Sequence, residues 1–463
     1  MKKILVIVLS LMLTAVFMIG CEGDRTVRDD LPPRPQINLP AATANWSLPY
    51  ANNPAAIGGT HIGNHLRIGT AQADRVYVER MMQRFTQQYA PQGFQFTMVI
   101  IEEDQARAEI QGSPNPADSA DVVSIVHDQL GPLVDGGFIS GISAEATPGL
   151  ANVIRRNTLG AVHASMAYTG YVSTLQGEVN LGWRHYGFPY AQDTHFLVYN
   201  RNRIQTEEDR ALLGTFDGIV ELGRRHNVAR PFGMDVANGF YSMNFFLSYG
   251  VRLFGEHGIQ PGNVGFDTPE ALQSMNFLYS NRNHIQNISP ITAPTQLGLL
   301  GDNILTFITG PYRLDAFRGA VAGGNVGIRP LPRLVTGATP AQNIYMYSNA
   351  NYKLYVVNAR TQNRPLAMQV AAFLANPVNQ VYRTTHRDFM PTDRYMIANN
   401  TTVATHPLIQ VLADQFNRSV TIPSIAELAR AWAPVGNLAL RVVNGETPTA
   451  ESLRTLNNTI RYP

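Results

Sequence analysis

The chain has 463 residues, more than a single hydrophobic core usually organises, so two or three lobes are expected. Hydrophobic residues make up 44% and charged residues 15%, a balance typical of a soluble globular protein and not of a disordered or multi-span membrane chain. The 36 basic residues nearly match the 34 acidic ones, so the charge gives no indication of nucleic-acid binding.

The first 20 residues have the pattern of an export signal. Lys2 and Lys3 precede an apolar run over residues 4–19, which is short for a bilayer span, and Gly20 and Cys21 follow. This ending resembles a bacterial lipobox, with methionine at position 18 where leucine is usual. We expect cleavage before Cys21 and a lipid on its thiol; a plain signal peptide is the alternative.

Cys21 is the only cysteine, so we expect no disulfide framework, no Cys-based zinc site and no thiol nucleophile. The sequence contains no zinc motif, P-loop, nucleophile elbow or dinucleotide fingerprint, and we therefore predict neither a metal nor a cofactor. Residues 22–60 carry six prolines among small and charged residues without an apolar period. They predict a disordered tether over residues 21–60.

From residue 66 onward the pattern becomes that of an α/β fold. Residues 66–70 predict a short strand, a helix capped by Asp74 and with apolar residues three or four apart follows, and residues 94–101 predict a second strand. A strand, a helix and a strand of these lengths predict a βαβ unit.

The next predicted strand, residues 120–126, ends in His127 and Asp128. Ligands of open α/β sheets lie beyond the carboxyl ends of the strands, so Asp128 is a candidate ligand residue. A helix N-cap is the alternative for Asp128. We expect His127 to be a core histidine with a backbone partner.

The stretch 188–200 contains a second candidate site. A turn signal at Gly187 and Pro189 leads into a polar group that includes Gln192 and Asp193, and residues 196–199 predict a buried strand. Polar groups at the point where the chain enters a core must find partners or face a cleft. An ordinary buried strand with a capping aspartate is the alternative.

Three aromatic residues are candidates for the same site. Phe240 and Tyr241 open an aromatic helix, and Tyr312 follows a predicted strand that stops at Gly310 and Pro311. Packing of these rings in the core, or at an interface between elements, is the alternative. A separate helix is predicted to start after Thr215, which is a favoured N-cap residue.

The order of these segments resembles that of bacterial extracellular solute-binding proteins of family 1, the maltose/maltodextrin type. A lipobox, a strand ending in His-Asp, a Pro-containing crossing ending in Tyr-Asn, a Gly-Pro-Tyr corner, a Pro-Leu-Pro strand end and a Gly-Glu tail occur in the order typical of that family. The resemblance covers residues 66–463 and rests on order and spacing, because none of these motifs is diagnostic alone. Phe216 stands where that family usually has tryptophan.

The resemblance implies an α/β fold of the two-lobe, periplasmic-binding-protein-like type II, with three hinge crossings. Residues 1–20 would be a lipoprotein signal peptide and residues 21–60 the tether. Residues 61–192 plus 338–390 would form the N-terminal lobe, and residues 193–337 plus 391–463 the C-terminal lobe.

The resemblance also implies a function without catalysis. A monomeric receptor, anchored by the lipid on Cys21 at the extracytoplasmic face of the cell membrane, would capture a carbohydrate between its lobes and deliver it to the permease of an ABC transporter. Asp128, Gln192 and Asp193 would accept hydrogen bonds from sugar hydroxyl groups. The rings that would stack on the sugar are those of Phe240, Tyr241 and Tyr312, because a flat aromatic ring buries the C–H face of a pyranose.

Two other functions stay open at this point. A protein of the same fold could bind a polyol, a sugar phosphate or a peptide, and Arg313 beside the Gly-Pro-Tyr corner would suit a phosphate. A glycoside hydrolase could use Asp128 and Asp193 as its carboxylate pair. The sequence assigns no role to residues 141–180, and it does not decide whether Trp183 or Trp432 lines the cleft.

Overall fold

The computed structural model describes residues 34–37, 39, 41, 43–44, 64–90, 93–112, 119–142, 148–169, 182–288, 303–335, 337, 339 and 343–462. The predicted signal peptide, Cys21 and most of the predicted tether lie outside these residues. Within the described ranges, no helix has both the length and the apolar character required to cross a bilayer.

The strands of the described residues are numbered in chain order. They are β1 (His65–Thr70), β2 (Gln95–Ile100), β3 (Val122–Val126), β4 (Met166–Thr169), β5 (Gly182–His185), β6 (Gly187–Thr194), β7 (Phe196–Asn200), β8 (Phe232–Met234), β9 (Ile285–Asn287), β10 (Thr306–Thr309), β11 (Val326–Arg329), β12 (Arg333–Val335), β13 (Ile344–Tyr345), β14 (Ser348–Val357) and β15 (Ser419–Thr421).

The α-helices are numbered in the same way. They are α1 (Arg75–Gln88), α2 (Ala106–Gly112), α3 (Leu130–Asp135), α4 (Pro148–Arg155), α5 (Leu159–Ala164), α6 (Glu207–Leu212), α7 (Phe216–Arg225), α8 (Gly239–Ser248), α9 (Pro269–Ser280), α10 (Leu314–Ala320), α11 (Arg364–Leu374), α12 (Pro377–Arg387), α13 (Arg394–Asn399), α14 (Thr401–Ala404), α15 (Pro407–Phe416), α16 (Trp432–Val443) and α17 (Ala450–Arg461). Short 3₁₀ turns at Gln72–Asp74, His127–Gln129, Pro311–Arg313 and Ala426–Arg430 adjoin α1, α3, α10 and α16.

The first lobe is built on a sheet in which β1 lies between β2 and β3 and is parallel to both. The long strand β14 runs antiparallel to β3 and β6, and its first residues pair in parallel with β15. Side chains of β14 alternate between two apolar clusters, with Leu354 and Val356 on one face and Tyr355 and Val357 on the other. Both faces of the sheet are therefore covered along this part of β14, which explains why residues 354–357 are all apolar.

The second lobe is built on a sheet of order β11-β7-β10-β8-β9. β7 is antiparallel to both of its neighbours, whereas β8, β9 and β10 are parallel to one another. Alternation along β7 sends Leu197 and Tyr199 into the largest apolar cluster and Phe196 and Val198 into another. The predicted buried strand over residues 196–199 is therefore confirmed.

The chain passes between the two sheets at several points. Only His195 separates β6, in the first sheet, from β7, in the second. Met346 belongs to the apolar cluster of the second lobe, and β14 begins two residues later in the first sheet. Phe389 packs in the first lobe, whereas Met390 packs with β7 and β10 of the second.

Strand β15 departs from the predicted lobe boundaries, which assigned all of residues 391–463 to the second lobe. It pairs with β14 in the first sheet, after which Ile422 returns to the cluster of the second lobe. A three-residue edge strand has no pattern of its own, and its place is decided by the strand that it meets.

The described part of the predicted tether also departs from the expected disorder. Ile37 and Leu39 pack against the core of the first lobe, and the Arg156 guanidinium donates a hydrogen bond to the Thr43 carbonyl at 2.9 Å. Two apolar side chains in a Pro-rich segment give no periodic signal, but they are enough to hold the segment on an apolar surface.

Several local predictions can be compared with the structure directly. The Thr215 hydroxyl accepts a hydrogen bond from the Gly218 N–H at 3.0 Å, so the predicted helix cap is confirmed. Asp74 precedes α1 but makes no capping bond; its carboxylate forms an ion pair with Arg387 instead. The prediction of an Asp74 cap was therefore wrong, because a tertiary partner holds the carboxylate.

The stretch around Gln192 differs from its prediction in a similar way. The expected turn and polar loop at residues 187–195 is strand β6, fully buried along its length, and Pro189 lies at a bulge in its pairing with β14. A bulge tolerates proline because the ladder hydrogen bonds are interrupted there.

Candidate functional site

A cleft of about 640 Å³ lies where the two sheets meet. From the first lobe, its wall is formed by the segments that follow the carboxyl ends of β1, β2 and β3, together with the end of β6 and the middle of β14. From the second lobe, it is formed by the starts of α8 and α16 and by the 3₁₀ turn after β10. This is the position at which open α/β sheets bind ligands.

The second lobe contributes aromatic rings to the cleft. Tyr312 stands in the turn after β10, and 37% of its surface is exposed. Its phenol oxygen lies 2.8 Å from that of Tyr241, whose ring is stacked on the His195 imidazole at 4.7 Å between centroids. A side chain on Gly310 would collide with the Tyr312 ring at 2.3 Å, so this glycine allows the ring to fold back over the corner. Tyr312 therefore has a fixed ring with an open face.

Phe240 completes this aromatic surface. The Asn238 side chain caps α8 by accepting the Phe240 N–H at 3.0 Å, which places Phe240 in the first turn, at the cleft. Its ring packs edge-on against Trp432, at 5.9 Å between centroids. Trp432 also lines the cleft, whereas Trp183 packs with Tyr168 of β4.

The first lobe contributes most of the charged groups. Asp193, near the end of β6, is only 1% exposed, and its Oδ2 has no hydrogen-bond partner among the described residues. Burial raises the pKa of Asp193 to about 7, an effect that the nearby Lys353 ammonium reduces and the Glu103 carboxylate reinforces. Asn351 donates a hydrogen bond to the carboxylate, so the atom that remains as an acceptor without a donor is Oδ2.

Asp128 has similar properties at the end of β3. One part of its carboxylate accepts the Trp432 indole N–H, and Oδ1 has no partner among the described residues. Burial raises the pKa of Asp128 to about 6, and the hydrogen bond from Trp432 and the charge of Arg107 work against that rise. Because Asp128 belongs to the first lobe and Trp432 to the second, this bond joins the two walls of the cleft.

His127 is a buried core residue, as expected. Its Nε2–H donates to the Ile422 carbonyl at 2.9 Å, and its Nδ1 accepts the Tyr352 N–H at 3.1 Å. Burial lowers the pKa of His127 to about 4, so the ring is neutral at ordinary pH. It supports the site from behind and does not line the cleft.

The structure brings five of the six predicted ligand residues to one cleft: Asp128, Asp193, Phe240, Tyr241 and Tyr312. It does not bring Gln192 there. The Gln192 amide donates to the Pro391 carbonyl at 3.0 Å, and its oxygen accepts the Thr158 hydroxyl at 3.2 Å. Gln192 therefore connects β6 to Pro391, next to the point at Phe389 and Met390 where the chain passes between the lobes. Successive residues of a strand point to opposite faces, so Asp193 points into the cleft and Gln192 points away from it.

The cleft wall also contains residues that were not predicted as ligand residues, among them Glu103, Arg313, Lys353 and Trp432. Glu103 follows β2 at its carboxyl end, so the rule that selected Asp128 also selects Glu103. A lysine directly before the apolar run of residues 354–357 was a signal as well. Trp432 gave no local signal, since it reaches the cleft from the far end of the sequence.

The fold and the cleft define a class of protein: two lobes joined by several crossings, with convergent polar groups and open aromatic rings between them, as in receptors that close around a small molecule. The family of bacterial extracellular solute-binding proteins matches residues 92–381, and the chain belongs to this family.

Two similar proteins come from Bacillus subtilis (strain 168). The galactooligosaccharide-binding protein is 25% identical over 283 residues, which are 58% of this chain and 63% of that protein, so the similarity spans less than two thirds of its length. The maltodextrin-binding protein MdxE is 22% identical over 430 residues, covering 89% of this chain and 92% of that protein.

The solved structure of the unliganded maltodextrin-binding protein MalE1 of L. casei BL23 is similar to the structure of this chain. The TM-score is 0.71 at 19% identity, over 87% of this chain and all of the other. At this identity the similarity shows the fold, which is the type II binding-protein fold predicted from the sequence. The predicted family is confirmed by the family match.

Proposed function

We propose that this protein captures an oligosaccharide in the cleft between its lobes and presents it to the permease of an ABC importer. Sugar hydroxyl groups donate hydrogen bonds to Asp128 and Asp193, and the face of one sugar ring lies on Tyr312. Closure of the lobes around the ligand is the change that the permease recognises. Capture of this kind is expected at micromolar concentrations, about −8 kcal/mol of binding free energy.

One observation carries this proposal. Within the described part of the cleft, three buried polar atoms have no hydrogen-bond partner: Asp128 Oδ1, Asp193 Oδ2 and Arg313 Nη1. A buried polar atom without a partner costs the fold about 1–3 kcal/mol, and a ligand with several hydroxyl groups would recover that free energy. Two acceptors and one donor suit hydroxyl groups, because each hydroxyl both donates and accepts.

The aromatic wall supports the same ligand class. A pyranose has an apolar face of C–H groups and a rim of hydroxyl groups, so it needs a flat ring on one side and polar partners around it. The open face of Tyr312 and the unpaired oxygens of Asp128 and Asp193 provide both in one cleft. The names of the two relatives, a maltodextrin-binding protein and a galactooligosaccharide-binding protein, agree with this class.

We extend the proposal to the location of the protein. Cleavage before Cys21 and a lipid on its thiol would anchor the chain at the extracytoplasmic face of the membrane as a monomer, next to the permease. The Gly-Cys sequence after the apolar run supports this, and so does membership of an extracellular family. Metabolic labelling with a palmitate analogue should mark the wild type and not Cys21→Ala.

A panel of ligands tests the proposal. The purified chain from residue 22 onward is heated with maltose, maltotriose, maltopentaose and galacto-oligosaccharides, and the melting temperature is recorded. A ligand at 100 times its dissociation constant adds about 2.7 kcal/mol of stability, which is a clear upward shift. Absence of a shift with every sugar contradicts the proposal.

The same samples separate binding from catalysis. We propose that the protein is not an enzyme, so chromatography after incubation should return each sugar uncut. Appearance of shorter products would favour the glycoside hydrolase with Asp128 and Asp193.

One observation favours a second candidate, an anionic solute such as a sugar phosphate. Arg313 Nη1 is buried at the cleft without a partner among the described residues. Glucose 6-phosphate and inorganic phosphate therefore belong in the panel. A shift with these two and not with neutral sugars would make this candidate the better one.

A further inference from the structure

Lys353 lies in the floor of the cleft, in the middle of β14, and is only 3% exposed. It is the only lysine of the chain apart from Lys2 and Lys3. Its ammonium group forms an ion pair with Glu103 and lies 4.2 Å from the centre of the Phe389 ring. A buried ammonium is costly to desolvate, so a lysine at this place requires compensation by nearby carboxylates.

Glu103 is held in place by several donors. Besides Lys353, its carboxylate accepts the Tyr190 hydroxyl at 3.0 Å and the Ser124 hydroxyl at 3.1 Å. Burial disfavours the charged form of Glu103, but Lys353 and these hydroxyl groups outweigh it and lower the pKa of Glu103. Glu103 is therefore a negative charge held in place by three donors.

Asp193 is the second carboxylate that faces Lys353, and its situation is the opposite. It stands on β6 across from Asn351, two residues before Lys353 on β14. Its Oδ2 has no partner among the described residues, whereas Glu103 has three donors. Burial works against the Lys353 ammonium, but Glu103 and Asp193 together raise the pKa of Lys353.

Charged and titratable groups from both lobes surround Asp193 and influence its ionisation. Lys353 of β14 favours its ionised form, and Glu103, after β2, opposes it. The Tyr312 hydroxyl approaches from the second lobe and is neutral at ordinary pH, since burial raises its pKa well above the usual range. Asp74 acts on Lys353 from the start of α1 and is itself paired with Arg387 of α12.

We propose that Lys353 is a positioning residue that shares its charge between Glu103 and Asp193, so that ligand hydroxyl groups bind the anionic form of Asp193, and Asp193 carboxyl groups that are protonated in the free protein lose that proton on binding. This inference rests on the proposed function, because it concerns the same cleft. A ligand hydroxyl that donates to Oδ2 stabilises the anion and shifts the equilibrium toward it. Ligand capture is therefore coupled to loss of the Asp193 proton.

The sign of the pH dependence follows from this coupling. The ligand-free Asp193 has a pKa of about 7, raised by burial, so its anion is the minor form under mildly acidic conditions. Affinity should then fall about tenfold between about pH 8 and about pH 6. At about pH 7, binding should release about half a proton.

The experiment measures dissociation constants by isothermal titration calorimetry at several pH values, with the oligosaccharide that gives the largest thermal shift. Repeating the titration in buffers of different ionisation enthalpy counts the protons released. Asp193→Asn should bind more weakly and keep only the pH dependence of about twofold down to about pH 6 that Asp128, with a pKa of about 6, contributes. Glu103→Gln removes the opposing charge, so the midpoint should move to lower pH; Lys353→Met should move it to higher pH.

A matched control is Glu221→Gln, which removes the carboxylate of a surface ion pair with Arg224 and Arg225. It should leave the pH profile unchanged. Lys353→Met could fail to fold because Glu103 loses its partner, and Glu103→Gln then decides the outcome alone. Equal affinity at both ends of the pH range in the wild type, or a Glu103→Gln midpoint that does not fall, overturns the proposal.

A second measurement keeps this inference separate from the proposed function. The Asp193 carboxyl carbon can be followed by NMR in the ligand-free wild type and in Glu103→Gln. A pKa near 7 that falls in the variant supports the charge sharing even where no sugar of the panel binds. An ordinary pKa near that of a free aspartate contradicts it even where sugars bind well.

Discussion

The two lobes supply different kinds of group to the same cleft. The first lobe contributes Asp128, Asp193, Glu103 and Lys353, and the second contributes the rings of Phe240, Tyr241, Tyr312 and Trp432. Each wall alone matches one aspect of a sugar, the hydroxyl rim or the C–H face. A ligand gains both sets of contacts only when the lobes are close together, so this division makes ligand binding favour closure.

The two walls also differ in what they cost the fold. The aromatic wall is packed ring on ring, as in the 4.7 Å stack of His195 on Tyr241, and it contributes to stability without a ligand. The polar wall holds carboxylates with unpaired oxygens and raised pKa values, which is unfavourable until a ligand arrives. The difference can be tested one wall at a time.

The largest effect is expected for Asp193→Asn, on stability. The pKa of Asp193 is about 7 in the folded protein, above its unfolded value, so the folded state loses stability as pH rises from about 4 to 7. Asparagine removes this cost, and the free energy of unfolding at about pH 8 should rise by about 4 kcal/mol. Urea unfolding at about pH 8 and pH 4 measures the gain, which should vanish at the lower pH.

The next largest effect is expected for Tyr312→Ala, on affinity. Loss of a stacked ring should weaken sugar binding about 30-fold, or about 2 kcal/mol, whereas Tyr312→Phe keeps the ring and should lose less than threefold. Tyr345→Ala is the matched control, because Tyr345 is exposed to the same extent, 38%, and does not line the cleft. If Tyr312→Ala binds as well as the control, the aromatic wall is not a sugar platform.

Asp128→Asn should have a smaller effect on affinity, about tenfold. The neutral amide keeps the shape of the side chain but turns one of its two acceptors into a donor, so it can no longer accept as many ligand hydroxyl groups. Calorimetric titration at about pH 8, where Asp128 is ionised, measures the loss. Unchanged affinity would mean that Asp128 does not bind the sugar and only helps to hold the cleft together, and that Asp193 is the acidic residue that binds it.

The smallest effect is expected for Trp432→Phe, about threefold. The ring that packs on Phe240 is retained, and the indole N–H that bonds Asp128 is lost. Because this bond joins the two lobes, the variant tests whether they are coupled within the cleft. Titration of Asp128→Asn and of the double variant completes the cycle, and additive losses would show that the two walls act independently.

Much of the fold was predictable from the sequence because its signals are local. The apolar runs of β1, β3 and β7 and the Thr215 cap of α7 are visible in short windows, and the structure has them at the predicted places. The failures are also instructive. Asp74 does not cap α1 because Arg387, more than 300 positions away in the sequence, binds its carboxylate. The edge strand β15 exists because β14 offers it a partner.

The candidate site was predictable where a strand end or a corner marks it. Asp128 and Tyr312 follow strands at the edge where ligands bind, and the structure places both at the cleft. Gln192 was expected beside Asp193, but alternation along β6 turns its side chain toward Pro391. The pairing register of β6 with β14 decides which of the two side chains, Gln192 or Asp193, faces the cleft. No local sequence pattern reveals this register.

The sequence by itself determined the elements with a strong local signal, such as β1, β3, β7 and the start of α7, because hydrophobic period, caps and turns act over a few residues. The type of fold and the family were inferred from the resemblance in the order of the motifs. Only the tertiary structure decided which polar atoms lack partners, why Lys353 can be buried, and that Trp432 meets Asp128 across the cleft. Burial and partnership depend on groups distant in the sequence, and these set the charge and the hydrogen-bonding capacity of the site.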